Sequence, residues 1–279
     1  MRIDAHHHLW DVRKRDYDWL KTQDPQIQRT FDVSDLQIAM ASAAIDRTIV
    51  VQTVHELGET RDLLATAAAH AETIAGVVGW VDLVDPAVSD TLVELMAGED
   101  GSFLVGIRHV VHNEPDAGWL MRADVRRGLQ AVGEAGLAYE LLVRTRELPA
   151  VIEVAESLPD VKFVLDHIGK PPIAEGGCDE WADLITAIAA HPNVTCKLSG
   201  LVSEAKPGAT TADFQPYGDR ILETFGAGRI MFGSDWPVCL PYRSYEGVYE
   251  LAVELVQGLS ASELAAVFGL NAVAVYGLA

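Results

Sequence analysis

Two histidines two residues apart, His6 and His8, end the first strongly apolar stretch of the chain, Asp4-Ala5-His6-His7-His8. A carboxylate, Asp235, ends the last such stretch before the C-terminal helices, Gly233-Ser234-Asp235-Trp236-Pro237. Residues i and i+2 of a strand share a face, so His6 and His8 can point one way while His7 points the other. A third imidazole, His167, stands where Val164-Leu165-Asp166-His167 runs into a glycine turn. Imidazoles exchange protons near neutrality and ligate metals, and a carboxylate beside them can take a proton from water. The combination points to hydrolysis. Each member also has a plainer reading: a structural histidine cluster, a strand end paired through Asp166 with a neighbouring base, a turn cap at Asp235. Against the last stands the cost of an isolated buried charge, which obliges such a carboxylate to find partners.

Other polar groups end other apolar runs. Gln52 closes the second, and Arg108 and His109 close the fourth, where neighbours point oppositely and one faces inward. Glu140 and Arg144 flank the fifth. Lys197 lies inside the seventh, where a lysine is rarely structural, although its stem could pack while the ammonium reaches water. Gln52, Arg108, His109 and Lys197 are therefore candidate substrate contacts. Trp10, Trp19 and Trp236 offer flat apolar walls that suit a sugar-sized ligand; packing beneath a lid is their plainer role. His55, His70, His112 and His191 sit in loop-like or helix-like contexts and are read as background.

The elements that must position these groups follow from the hydrophobic pattern. Near-continuous apolar runs at 2–9, 47–53, 74–81, 104–110, 137–143, 161–167, 194–199 and 229–233 read as strands buried on both faces. Amphipathic stretches at 59–71, 88–96, 124–135, 146–157, 180–190, 215–225, 244–256 and 260–268 read as helices, with Pro149 and Pro216 suited to early helix positions. Eight alternating units imply a single-domain (β/α)8 barrel, in which the first and last strands are neighbours. An open doubly wound sheet is disfavoured because no glycine-rich phosphate loop follows the first strand. Long connections at 10–45, 170–179 and 201–213 all follow strands, on the face where barrels keep their sites.

The 279 residues carry 41 Asp and Glu against 21 Lys and Arg, a formal net charge of -20. Nucleic acid and acidic membranes would be repelled. Cys178, Cys196 and Cys239 form no paired motif, which fits a reducing cytoplasm. No apolar leader or span-length run is present, so a cytoplasmic location is expected.

DAHHHLWD, VVGWVDL, VGIRHVVHNEPD, VLDHIGKP, VTCKLSGL and MFGSDWPVC together resemble the amidohydrolase superfamily. Within it they resemble the sugar-lactonase branch of L-fuconolactonase-like and L-rhamnonolactonase-like proteins. The resemblance runs from Ile3 to near Gly277. It implies a distorted barrel, hydrolysis of a cyclic ester such as L-fucono- or L-rhamnono-lactone, and catalytic positions at His6, His8, His167 and Asp235. Metal-dependent members add a histidine at the end of strand five, where this chain reads Tyr139-Glu140-Leu141. His6, His8, His167 and Asp235 could still hold one zinc with an open position, but no metal is expected to be required. Asp235 would activate water, with the histidines, Arg108 or Lys197 meeting charge on the carbonyl oxygen. A metal-dependent decarboxylase and a non-catalytic sugar-binding barrel are the alternatives. The partner expected is a small sugar lactone, and a homodimer is compatible with this architecture; the sugar and its ring size are not fixed by the sequence.

Overall fold

The computed structural model describes residues 1–278. Eight parallel strands follow one another around a barrel: β1 Ile3–His7, β2 Arg47–Val51, β3 Ile74–Gly79, β4 Leu104–Val110, β5 Ala138–Leu142, β6 Lys162–Leu165, β7 Val194–Leu198 and β8 Ile230–Phe232. Helices α1 Val33–Ala41, α2 Leu57–Ala69, α3 Val88–Ala97, α4 Ala123–Glu134, α5 Leu148–Ser157, α6 Asp179–Ala189, α7 Thr211–Phe225 and α8 Tyr245–Leu255 pack outside. The barrel expected from the sequence is the fold observed. No helix among the described residues is long and apolar enough to cross a membrane.

Local chemistry explains where boundaries depart from the periodic pattern. The segment 10–45 is not all loop: Asp32 and Asp35 form a reciprocal capping box that starts α1 inside it. Another box, Thr210 with Asp213, starts α7 four residues early, so Pro216 falls inside that helix and the loop after β7 ends at Thr210. The final helix expected at 260–268 is broken. α9 Ala261–Ala265 passes through a wide turn at Ala266–Leu270 into α10 Asn271–Tyr276. There Gly269 packs against Met1, whose carbonyl oxygen would lie 2.2 Å from any added Cβ. α10 closes the N-terminal mouth: Ala272 and Tyr276 join the inward apolar cluster of Ile3, Ala5, Ile49, Val164 and Met231.

A bulge in β1 aims the site. Asp4 pairs with Thr48 and His7 with Val50, so three steps along β1 face two along β2. Ile3 and Ala5 point inward with the apolar cluster; after the extra residue, His6 and His8 point inward instead. Asp4 turns outward and accepts from Ser234 N at 2.9 Å, Ser234 Oγ at 2.6 Å and the Tyr245 hydroxyl at 2.9 Å. Beyond the short β8, Asp235 N donates to His6 O at 2.8 Å and His8 N to Trp236 O at 2.7 Å. The seam that closes the barrel is thus made from the residues of the site.

Candidate active site

Asp235 sits just past β8 with φ of 55°, a left-handed backbone that directs its carboxylate inward. Oδ1 lies 3.5 Å from His8 Nε2, 3.8 Å from His6 Nε2 and 3.9 Å from His167 Nε2. The three imidazoles and the acid gather in one place. His167 is not on β6, which stops at Leu165. It belongs to a turn in which His167, Ile168, Gly169 and Lys170 all have positive φ. That turn swings the ring against Gly200, where a Cβ would lie 2.5 Å from Nδ1.

Each ring is held from behind. His8 Nδ1 is 2.8 Å from the Val51 carbonyl, and His167 Nδ1 is 2.8 Å from Ser199 Oγ. His6 Nδ1 lies 3.1 Å from Lys197 Nζ and 3.4 Å from Asp166 Oδ1. On its other side, Nε2 lies 3.2 Å from both His8 Nε2 and an Arg108 guanidinium nitrogen. Below the rings runs a fully buried ionic network. Arg108 donates to Asp166 Oδ2 at 3.0 Å and to the Gln52 carbonyl at 2.6 Å. Lys197 Nζ reaches Glu140 Oε1 at 2.6 Å and Asp166 Oδ1 at 3.2 Å. The Tyr276 hydroxyl donates to Glu140 from the barrel floor.

These surroundings set the charges. Burial pushes the Asp235 carboxyl up, but His167, His8 and Lys170 outweigh it and hold the group below the ordinary range, so it is ionised near neutrality. Burial lowers His167 to about 4. Burial and the neighbouring Lys197 push His6 well down, leaving both rings neutral. Burial and repulsion from Asp166 raise Glu140 to about 7 against Lys197 and Arg108. Asp166 goes the other way: Lys197, His6 and Arg108 overcome burial and hold it well below its usual value.

Above the network opens a cavity of about 380 Å³, lined by His8, Arg108, His167 and Asp235 at its floor and by Trp19 and Tyr242 higher up. Of the fourth-strand pair, Arg108 is the one that faces it. His109 does not. It is wedged outside β4 between His55 and Trp119, with ring centroids 4.0 and 4.4 Å away, and bonds Trp80 Nε1 and Glu114. Gln52 and Lys197 also lie off the cavity, buried completely beneath it. Lys197 does not lead its ammonium to water. Trp10 and Trp236 take the plainer role, joined through Phe31 by edge-on contacts at 5.3 Å that brace the first loop on the last; Trp10 Nε1 donates to Arg29 O. His112, read as background, lines the cavity, as do Lys170, Arg144 and Glu204. The sequence marks Arg144 only as a flank of the fifth strand. Lys170 and Glu204 were missed because they are ordinary loop residues until Lys170 and Arg144 close on Glu204.

The donor set fits one divalent ion. His6, His167 and Asp235 each offer a ligand atom within 4.8 Å of the other two. Zinc–nitrogen bonds of about 2.0–2.1 Å set tetrahedral ligands roughly 3.4 Å apart, a small closure from the spacing seen. His8 Nε2 stands beside them, 3.2 Å from His6 Nε2 and 3.5 Å from Asp235 Oδ1.

A parallel barrel that gathers histidines from its first and sixth strand ends around an aspartate past its eighth is built for attack by activated water on a polar carbon. The chain belongs to the amidohydrolase family, whose model matches residues 3–278. It is 38% identical to an L-fucono-1,5-lactonase of Burkholderia ambifaria over 85% of this chain and 80% of that one. To an L-fucono-1,5-lactonase of Burkholderia multivorans it is 36% identical, covering 100% of this chain and 96% of the relative. A crystal structure of a Burkholderia multivorans amidohydrolase with bound zinc superposes over the full length of both chains, with a TM-score of 0.93 and 36% identity.

Proposed function

We propose that the chain opens a sugar lactone, an aldonolactone of the L-fucono or L-rhamnono kind, to its aldonic acid. The observation that carries this reading is the buried, ionised Asp235 carboxylate ringed by three imidazoles at the floor of a cavity of about 380 Å³. The kinship with L-fucono-1,5-lactonases supports it. Asp235 takes a proton from water, and the oxygen so released attacks the lactone carbonyl. Negative charge grows on the carbonyl oxygen, where Arg108 and His167 face the cavity; one well-placed donor is worth about 3–4 kcal/mol. When the ring C–O bond breaks, Asp235 returns its proton to the departing alkoxide, and the carboxylate is restored. His8 and His6 fix the position of Asp235, while Trp19 and Tyr242 give the sugar ring apolar faces to lie on.

A divalent ion, when bound, would be held by His6, His167 and Asp235 and would polarise the carbonyl and acidify water. Arg108 and Lys197 already place two fixed positive charges 3.2 and 3.1 Å from His6, so the chain supplies much of that field itself. The test is a pH-indicator screen of fucono, rhamnono, arabinono, galactono and xylono lactones in 1,4 and 1,5 forms. Acid release from at least one is expected; silence across the series from folded protein rejects the reading.

A further inference from the structure

Three loops meet at one wall of the cavity. Arg144 follows β5, Lys170 belongs to the left-handed turn after β6, and Glu204 ends the helical turn Val202–Glu204 after β7. Lys170 N donates to His167 O at 2.8 Å, so the turn that places His167 also carries this ammonium. Lys170 and Glu204 are nearly sealed, with 12% and 11% of their side chains exposed; Arg144, at 49%, braces them from outside. Their hydrogen-bonding capacity is only partly used. Among the described residues Lys170 Nζ has one partner, Glu204 Oε1 at 2.5 Å, for its three N–H groups. Glu204 Oε1 also takes an Arg144 nitrogen at 3.4 Å, while Oε2 takes only Arg144 Nη1 at 2.8 Å. A carboxylate oxygen can accept twice, so Oε2 keeps a free lone pair. The wall therefore sets spare donors beside a spare acceptor.

A ligand that matches this wall both donates and accepts at adjacent atoms. A carboxylate would meet Lys170 but be repelled by Glu204, and an apolar group would leave both charges buried and unanswered. Neighbouring hydroxyls on a saturated ring do match, because one can accept from the ammonium while the next donates to the carboxylate. We propose that Lys170 and Glu204 are the specificity-determining pair of this site: Lys170 donates to one ring hydroxyl of the substrate, and Glu204 Oε2 accepts from the hydroxyl next to it. This rests on the sugar-lactone reading and says which part of the sugar is recognised. Arg144 fixes the Glu204 carboxylate through two nitrogens. Asp235 and His8 stand at the β8–β1 seam, so a lactone with its carbonyl carbon there turns its hydroxyl-bearing carbons to the β5–β7 wall. As a tie between loops alone, a buried ion pair contributes little net stability. As a reader of hydroxyls it rejects rings that leave it unpaired.

The probes are 1,5-anhydro-L-fucitol and 1,5-anhydro-L-rhamnitol, the sugar rings without the carbonyl, each with its 3-deoxy counterpart. Any two neighbouring ring hydroxyls on carbons 2 to 4 include the one on carbon 3, so the 3-deoxy ring breaks either pair. Dissociation constants come from NMR titration of the 15N-labelled full chain. At least one parent ring is expected to bind the wild type at least ~10-fold more tightly than its 3-deoxy form, the lower end of what a hydrogen bond to a charged group contributes. Lys170→Met and Glu204→Leu are each expected to shrink that ratio towards one while binding the 3-deoxy ring as the wild type does. If a single variant does not fold, Lys170→Met/Glu204→Leu, which removes both charges, takes its place. A ratio that survives in the variants puts hydroxyl recognition elsewhere and overturns the proposal. So does a wild type that binds neither parent ring or shows no preference. Variants that lose the 3-deoxy ring as well overturn it too, since the pair would then be a tie between loops. The titration needs no turnover, so failure of this proposal and failure of the lactonase reading are separable.

Discussion

At the scale of single residues, the chemistry rests on one carboxylate kept charged in a buried place. Replacing it by its amide, Asp235→Asn, retains the shape and removes the base. Turnover should fall at least ~100-fold with fold and substrate binding kept, the lower end of what general-base catalysis contributes. The wild-type pH profile follows from the same group. The base works as a carboxylate, so kcat/KM should drop as pH falls through its pKa; that pKa is depressed, and the acidic limb should lie below the ordinary aspartate value. A limb centred above that value would belong to another group. Because Arg108 and Lys197 flank His6 and Asp235 is ionised by its protein neighbours, dialysis against a strong chelator should leave turnover largely intact. Complete loss, restored by zinc, would show that the ion is obligatory.

Among elements, three departures from regular geometry create the site. The β1 bulge reverses which side chains face inward between Ala5 and His6. The left-handed turn after β6 brings His167 under the cavity, and the residues after β8 both close the barrel and present Asp235. The turn can be probed at Gly200, whose φ of 65° disfavours a side chain and whose added Cβ would lie 2.5 Å from His167. Gly200→Ala should therefore displace the ring and lower kcat at least ~10-fold, by the sensitivity of reaction geometry to small shifts, with a near-native circular dichroism spectrum. An unchanged kcat would show that His167 has slack. The periodic runs made the strands legible, but the bulge carries no compositional mark. Plain alternation from Ile3 and Ala5 would have turned His7 inward. The i, i+2 pairing of His6 and His8 was readable; which face they took was decided by Asp4 turning outward to bond Ser234 and Tyr245.

For the whole molecule, the same burial that tunes the site makes the fold sensitive to acid. Burial holds His7 at about 3, His112 at about 3 and His167 at about 4. Unfolded, each would titrate near 6.5, so between that value and its folded pKa the unfolded chain binds the extra proton. Stability present above pH 6.5 is lost as pH falls towards 4, by up to about 1.4 kcal/mol per pH unit for each such histidine. Glu140, raised to about 7, works oppositely between 4.5 and 7, and Asp4 and Glu59, which burial also raises, oppose in the same sense. Burial lowers His6, His55 and His109 alongside the first three histidines. Urea midpoints measured from pH 7 to pH 4 should fall steadily; a flat series would mean that these rings protonate in place.

The amino-acid sequence alone settled the alternation of strands and helices, the apolar runs that lead into His6, His8, His167 and Asp235, and the expectation that they meet. Each of these is a local matter of apolar run length and residue type, and chain order then fixes the neighbours in a closed barrel. Only the tertiary structure decided that Arg108 faces the cavity while His109 stacks outside it, that Lys197 is sealed beneath His6, that Trp10 and Trp236 brace loops, and that Lys170, Arg144 and Glu204 join the mouth. Those outcomes depend on a bulge, on positive-φ turns and on charge pairs between residues tens of positions apart. Their energies come from contacts that exist only once the barrel has closed.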